Sequence, residues 1–318
     1  MPQWKPAEAL GRVRYADRIQ ISHPLPSDYL EALKEASRQF PQKELHVYGS
    51  AFSGSLEGLI GFEHVENLTV DLYEATSFDV LSGFTSLRRL GIGTTRSATP
   101  SVAFLSNCLS LEDVWLQGKG KGLDAVSSLD HLKVLRLQNL RAHSLEFLAG
   151  HPSIERLELL YSSARDFSSL ATMEQLRRLW ICRIRGLTGT DLTPLSDSPF
   201  DMLALNDAGG IEDLSALGGI DIRHLSLTNL PQLQTLGSLR HWPHLELLGI
   251  HNAHPSDDSL AEVAANPALS HLAIADKLPH SQLRAIQASF NGESLWYRGD
   301  YLWGSDRPED IIVTRDKL

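Results

Sequence analysis

Leu132-Lys133-Val134-Leu135-Arg136-Leu137, Ile154-Glu155-Arg156-Leu157-Glu158-Leu159 and Leu176-Arg177-Arg178-Leu179-Trp180-Ile181 follow one pattern, with apolar residues at the first, fourth and sixth positions. Outward from these three copies the pattern continues in both directions. Upstream stand Val65-Leu68-Val70, Leu87-Leu90-Ile92 and Leu111-Val114-Leu116. Downstream stand Phe200-Leu203-Leu205, Ile222-Leu225-Leu227, Leu245-Leu248-Ile250 and Leu269-Leu272-Ile274. The first positions fall at 65, 87, 111, 132, 154, 176, 200, 222, 245 and 269, in steps of 21 to 24 residues. Self-similarity at such a period marks a solenoid, in which no unit buries its apolar face alone and stacked neighbours bury it together. Leu45 with Val47, and Leu295 with Tyr297, fill the last two apolar positions of degenerate units at either end. Ile19 with Ile21 reads as one further strand.

Period-two alternation turns the second and third apolar residues of each copy to one side of a short strand. Stacked copies then form a parallel ladder. The segments that return the chain to the next strand are short, as in Phe78-Asp79-Val80-Leu81, Leu145-Glu146-Phe147-Leu148 and Ile211-Glu212-Asp213-Leu214. They leave room for 3₁₀ turns and not for long helices. Residues 256–266 are longer and read as a helix that begins near Ser256. The expected fold class is α/β. It is a right-handed, curved repeat solenoid with the parallel sheet on its concave face and short turns or 3₁₀ helices on its convex face. A solenoid exposes apolar cross-sections at its ends, so caps are expected. Residues 1–41 read as an N-terminal cap of a strand and a helix, with Ser27 as its N-cap, Tyr29, Leu30, Leu33 and Phe40 on one face, and Pro41 as its stop. Residues 42–277 are repeats, and 278–318 a terminal repeat with a C-terminal cap.

The net charge is −10, with an acidic pI near 5.7. Phosphate contacts need clustered Lys and Arg, so nucleic acid is not the expected partner. No run of apolar residues is long enough to cross a membrane. No secretory signal is read at the N-terminus, and the two cysteines, Cys108 and Cys182, have no metal-ligand or redox spacing. A cytoplasmic location is the expectation.

These repeats resemble those of leucine-rich repeat proteins, nearest to the short 22-residue class of internalins and of the phosphatase regulators that share it. Asp191-Leu192-Thr193-Pro194-Leu195 and Leu214-Ser215-Ala216-Leu217 resemble that class's convex segment. The resemblance spans about residues 42–298 and implies the solenoid fold and a binding role. The family carries an Asn ladder at the ninth repeat position. Here that position holds Tyr73, Thr95, Leu140, Ser162, Ile184, Ala208 and Leu230, while Asn139, Asn229 and Asn252 fall one place earlier. Either the turn is shorter or the ladder is broken.

Residues between and beside the inward leucines point to the opposite face. In the middle of the chain these are Trp115, Arg136, Glu158 and Trp180 on four consecutive strands, with Arg156 and Arg178 two residues before the last two and Tyr161 just beyond. Trp, Tyr and Arg dominate interface hot spots. Trp115, Arg136, Arg156, Glu158, Tyr161, Arg178 and Trp180 are therefore the candidate protein-binding residues.

Catalytic patterns are not found. Gly118-Lys119-Gly120-Lys121-Gly122 has the composition of a phosphate loop without its spacing, and reads as a solvated, flexible turn. His251, His254, Asp257 and Asp258 lack metal-ligand spacing and read as a loop. No cofactor is implied. The expected function is a non-enzymatic protein-binding module, as an inhibitor, immunity factor or adaptor. The alternative is a carbohydrate- or small-ligand-binding solenoid, and an enzyme ranks last.

Overall fold

The computed structural model describes residues 4–52, 54–97, 100–237, 242–253, 255, 258–297 and, for the backbone alone, 300–303. Ser256, His254, Asp257 and the segment 304–318 lie outside them. The chain forms two compact units, one of residues 1–142 with 147–155, the other of 143–146 with 156–318.

In the first unit α1 (Ala9–Tyr15), β1 (Arg18–Ile21) and α2 (Ser27–Ser37) precede β2 (Glu44–Tyr48), β3 (Asn67–Asp71), β4 (Arg89–Ile92), β5 (Asp113–Gln117) and β6 (Val134–Gln138). Each strand from β1 to β6 pairs in parallel with the next. The register follows the repeat: Ile19, Leu45, Leu68, Leu90, Val114 and Leu135 form one row, and Ile21, Val47, Val70, Ile92, Leu116 and Leu137 the other. Every one of these side chains is buried. Burial of a Leu, Ile or Val side chain stabilises by about 1.5–3 kcal/mol, so the two rows are the main source of cohesion. A third apolar row, Val65, Leu87, Leu111 and Leu132, enters each strand. Each of its N–H groups donates to the carbonyl three residues back, on Phe62, Phe84, Cys108 and Leu129. Cys108 thus fills a core position, and burial pushes its thiol up to about 11, well away from a reactive thiolate.

Helix α2 starts at Ser27 itself, with Pro26 in the cap position and no side-chain cap. The sequence pattern places Ser27 one position earlier in the helix frame. The Pro26 carbonyl accepts from Tyr29 and Leu30, which supplies the first turn instead. The helix ends at Ser37, and Phe40 belongs to the turn beyond it.

The second unit carries β7 (Arg156–Leu160), β8 (Arg178–Cys182), β9 (Pro199–Asn206), β10 (Asp221–Leu230) and β11 (Leu247–Ala253). These are followed by α3 (Ser259–Ala264), β12 (His271–Ile274), α4 (His280–Ser289), β13 (Ser294–Tyr297) and β14 (Asp300–Trp303). Strands β7 to β13 are parallel in sequence order, and β14 turns back antiparallel to β13. The row Leu157, Leu179, Leu203, Leu225, Leu248, Leu272 and Leu295 is in register, as the repeat requires. The helix expected over 256–266 is the shorter α3, entered from Asp258. Between β12 and β13 the return is the ten-residue helix α4, whereas inner returns are 3₁₀ turns, as at Asp79–Gly83, Leu123–Ser128, Gly189–Leu195 and Ser215–Leu217. Among the described residues no helix is long and apolar enough to cross a membrane.

The turns at the ends of β2 and of β5 to β11 resolve the displaced asparagines. Asn139, Tyr161, Arg183, Asp207, Asn229 and Asn252 all have φ between 50° and 56°, and Gly49 and Gly118 occupy the same position at 65° and 66°. This is the left-handed corner, which Gly and Asn tolerate best. It lets the corner N–H reach the next strand's carbonyl, as Tyr161 does to Cys182 (2.8 Å), Arg183 to Asn206 (3.0 Å) and Asp207 to Thr228 (2.9 Å). The following position, where the family carries its Asn ladder, holds the buried Leu140, Ser162, Ile184, Ala208 and Leu230. The polar ladder has moved one residue back, to the corner. In the second unit Asn252 Nδ2 donates to Asn229 Oδ1 (2.5 Å), and Asn229 Nδ2 donates to Asp207 Oδ1. Arg183 Nε donates to Asp207 Oδ2 (3.1 Å), and the Arg183 guanidinium lies 5.4 Å from the centre of the Tyr161 ring.

Asp207 is the hub of that ladder. Asp207→Ala is expected to lower stability by about 2 kcal/mol, through two lost charge-assisted bonds and an unaided left-handed backbone. Asp207→Gly keeps the backbone at ease and is expected to cost about 1 kcal/mol. Urea unfolding of both variants measures the split, and equal losses would show that the corner conformation contributes nothing.

Candidate binding surface

The sequence-derived candidates divide between the units. Trp115 and Arg136 belong to the first, and Arg156, Glu158, Tyr161, Arg178 and Trp180 to the second. In the first unit Trp115 and Arg136 are register partners on the outward row of β5 and β6. The indole Nε1–H donates to Gln138 Oε1 (3.3 Å), and Arg136 Nη1 donates to Asp113 Oδ1 (2.6 Å). Both side chains are partly exposed. The indole lies against Gly91 of the preceding strand.

In the second unit Arg156 and Arg178 are register partners on adjacent parallel strands, as are Glu158 and Trp180. Glu158 sits on the outward row yet is buried, with 1% of its side chain exposed. Arg156, 39% exposed, forms a 2.6 Å ion pair with it inside the same strand. A carboxylate removed from water needs such charge-assisted bonds. Arg178 stands exposed beside this pair, with no acidic partner among the described residues. Trp180 is partly exposed between Glu158 and the buried Ala204 in register. Tyr161 is 45% exposed at the left-handed corner that follows Leu160. Arg298, also on the outward rows by the repeat, lies outside the described residues.

Sequence reasoning missed the first outward position of the early strands. Glu44, Asn67, Arg89 and Asp113 stand in register there. The alternation carried back by two residues on every strand, and not only at Arg156 and Arg178, reaches them. The glycine-rich turn is also corrected. Lys119 is not solvated: it is 2% exposed, donates from Nζ to Thr95 Oγ1 (2.7 Å), and lies 5.3 Å from the centre of the Phe78 ring. Loss of water lowers its pKa from 10.5 to about 8. Gly118 and Gly122, both with positive φ, let the loop turn this side chain inward.

Parallel strands in repeat register, 3₁₀ returns and left-handed corners make this a leucine-rich repeat fold. The same fold is found in the crystal structure of an internalin from Listeria monocytogenes. That chain is 15% identical, with a TM-score of 0.52 over 91% of this chain and 88% of the internalin. A leucine-rich repeat protein of Leptospira interrogans is 13% identical over 94% of each chain, with a TM-score of 0.46. No protein-family model matches the chain, and no curated protein matches it.

Proposed function

We propose that this chain is a non-enzymatic protein-binding module whose partner lies on the outward strand rows, the face expected to be concave. Arg156, Arg178, Trp180 and Tyr161 are its central contacts in the second unit, with Glu158 holding Arg156 in place. Trp115 and Arg136 are its candidate contacts in the first. One observation carries this reading. Two guanidinium groups stand side by side on neighbouring strands, and the only carboxylate paired with them by a described bond is the buried Glu158, bound to Arg156. Like charges in register are destabilising, so an uncompensated Arg178 beside an indole fits a partner's acidic side chain. The overall acidic charge weighs against nucleic acid. An inhibitor, immunity factor or adaptor of the cytoplasm, where both thiols remain reduced, suits such a surface, and 1–41 and 278–318 serve as its caps.

The test is affinity capture from the host with wild type, Trp180→Ala and Arg178→Glu, followed by measurement of Kd for the captured protein. Each substitution is expected to weaken binding by about 30-fold or more, the scale of a hot spot. A partner held equally well by wild type and both variants would overturn the reading.

A further inference from the structure

The outward rows of the first unit open into a hollow of about 200 Å³ around β4. Gly91 is its cause. The neighbouring strands carry Thr69 and Trp115 at this position, whereas β4 carries no side chain. A methyl group on Gly91 would stand 3.1 Å from Trp115 Cε3 and 3.3 Å from Thr69 Oγ1. Glycine inside a strand weakens it and marks places where something else approaches closely. Here it lets the indole lie toward β4, with the ring held by the bond from Nε1 to Gln138.

Polar groups surround the indole, and each uses one end internally. Thr69 Oγ1 donates to Glu44 Oε1 (2.7 Å), Arg89 Nε donates to Asn67 Oδ1 (2.7 Å), and Arg136 donates to Asp113 Oδ1 (2.6 Å). Among the described residues, Glu44 Oε2, Asp113 Oδ2 and the terminal nitrogens of Arg89 have no further bond. Two carboxylates and two guanidinium groups give the lining a formal charge of zero.

We propose that this hollow binds one ring of a neutral saccharide. An anionic ligand would face Glu44 and Asp113, and a cationic one Arg89 and Arg136, so neither gains from charge. A wholly apolar ligand would strip water from four ions and return no hydrogen bond. A pyranose ring meets both demands. Its hydroxyls donate to the carboxylate oxygens and accept from Arg89, and its C–H face packs on the indole. The hollow is smaller than the about 300–1,000 Å³ of clefts for drug-sized molecules, which suits a single ring at the end or edge of a glycan. The hollow shares Trp115 and Arg136 with the proposed protein-binding residues, but the saccharide proposal does not rest on the contacts proposed in the second unit.

The experiment is calorimetric titration of the whole chain with methyl glycosides of glucose, galactose, mannose and N-acetylglucosamine and with their di- and trisaccharides. Sulfated and sialylated counterparts form the charged arm. A neutral saccharide is expected to bind, and Gly91→Val, Trp115→Ala and Arg89→Ala are each expected to weaken it by about tenfold or more. Trp180→Ala is expected to leave it unchanged. Arg89 is exposed, so its variant is expected to fold even where a Trp115 or Gly91 substitution does not. Three outcomes overturn the proposal: no neutral saccharide binding up to about 10 mM, binding confined to the charged arm, or neutral binding indifferent to Arg89→Ala. Hollow variants that release a captured protein while no saccharide binds would assign the hollow to a side chain of that protein, and overturn it too.

Discussion

Lys119→Met is expected to stabilise the protein by about 3 kcal/mol at neutral pH. The Lys119 ammonium is buried, with a hydroxyl and an aromatic ring as its described contacts. Its pKa falls from 10.5 to about 8, and every tenfold loss of proton affinity corresponds to about 1.4 kcal/mol. The direction follows from proton binding. Between pH 8 and 10.5 the unfolded chain holds this proton and the folded chain does not, so wild-type stability rises with pH across that window. Below pH 8 both states are charged and the full penalty applies. Above 10.5 both are neutral and it has gone. Methionine fills the same space without a charge, and Thr95 keeps its bond to the Ser97 carbonyl. Urea unfolding of wild type and variant at pH 7, 9 and 10.5 should show the advantage of the variant shrinking as pH rises. A difference that is constant with pH would mean that desolvation of the amine is not its source.

Gly189→Ala is expected to destabilise by about 3 kcal/mol or more. Gly189 opens the 3₁₀ segment Gly189–Leu195, which Thr188 and Asp191 cap reciprocally. A methyl group there would lie 1.9 Å from the Asp213 carbonyl oxygen of the next repeat. The obstacle is backbone, so no rotamer relieves it and one repeat must shift against the next. Gly209 is the control. It has open space around its Cβ direction and no positive φ, so Gly209→Ala is expected to be neutral or to gain up to about 1 kcal/mol. Thermal unfolding of the pair separates a packing effect from a general effect of removing glycine. Comparable Tm values for the two variants would refute the backbone contact.

The repeat was legible because its signal is redundant. Each inward row is written again on every strand, so register could be read down to single residues, including the faint copy at Ile19 and Ile21. Most returns were legible for a simpler reason, since their length favours a tight turn, although the return between β12 and β13 holds the helix α4. What escaped depends on neighbours in space. Lys119 has the sequence context of a solvated loop, and only Phe78 and Thr95, roughly two repeats and one repeat away, explain why it turns inward. Glu158 alternates as an outward residue does, yet it is buried and ion-paired with Arg156, which the pattern does not show. The displaced asparagines were visible as a discrepancy, but choosing between a shorter turn and a broken ladder required backbone angles. For the candidate surface, residue types and strand face could be read from the pattern. The hollow could not, because it consists of a missing side chain at Gly91 and the tilt of one indole toward it.

The left-handed corners bear on how such a chain changes in length. The corners at Gly118, Tyr161, Arg183 and Asp207 close on the carbonyl of the strand immediately after them, and the second unit's ladder passes from one corner to the next. Gain or loss of one whole repeat, cut between equivalent positions, leaves every surviving corner facing a strand of the same kind. An insertion of any other size must be absorbed in the returns or break a corner bond. Whole repeats of 21 to 24 residues are thus the steps in length that the corners tolerate, and each such step would change the extent of the sheet face without a new fold having to be found.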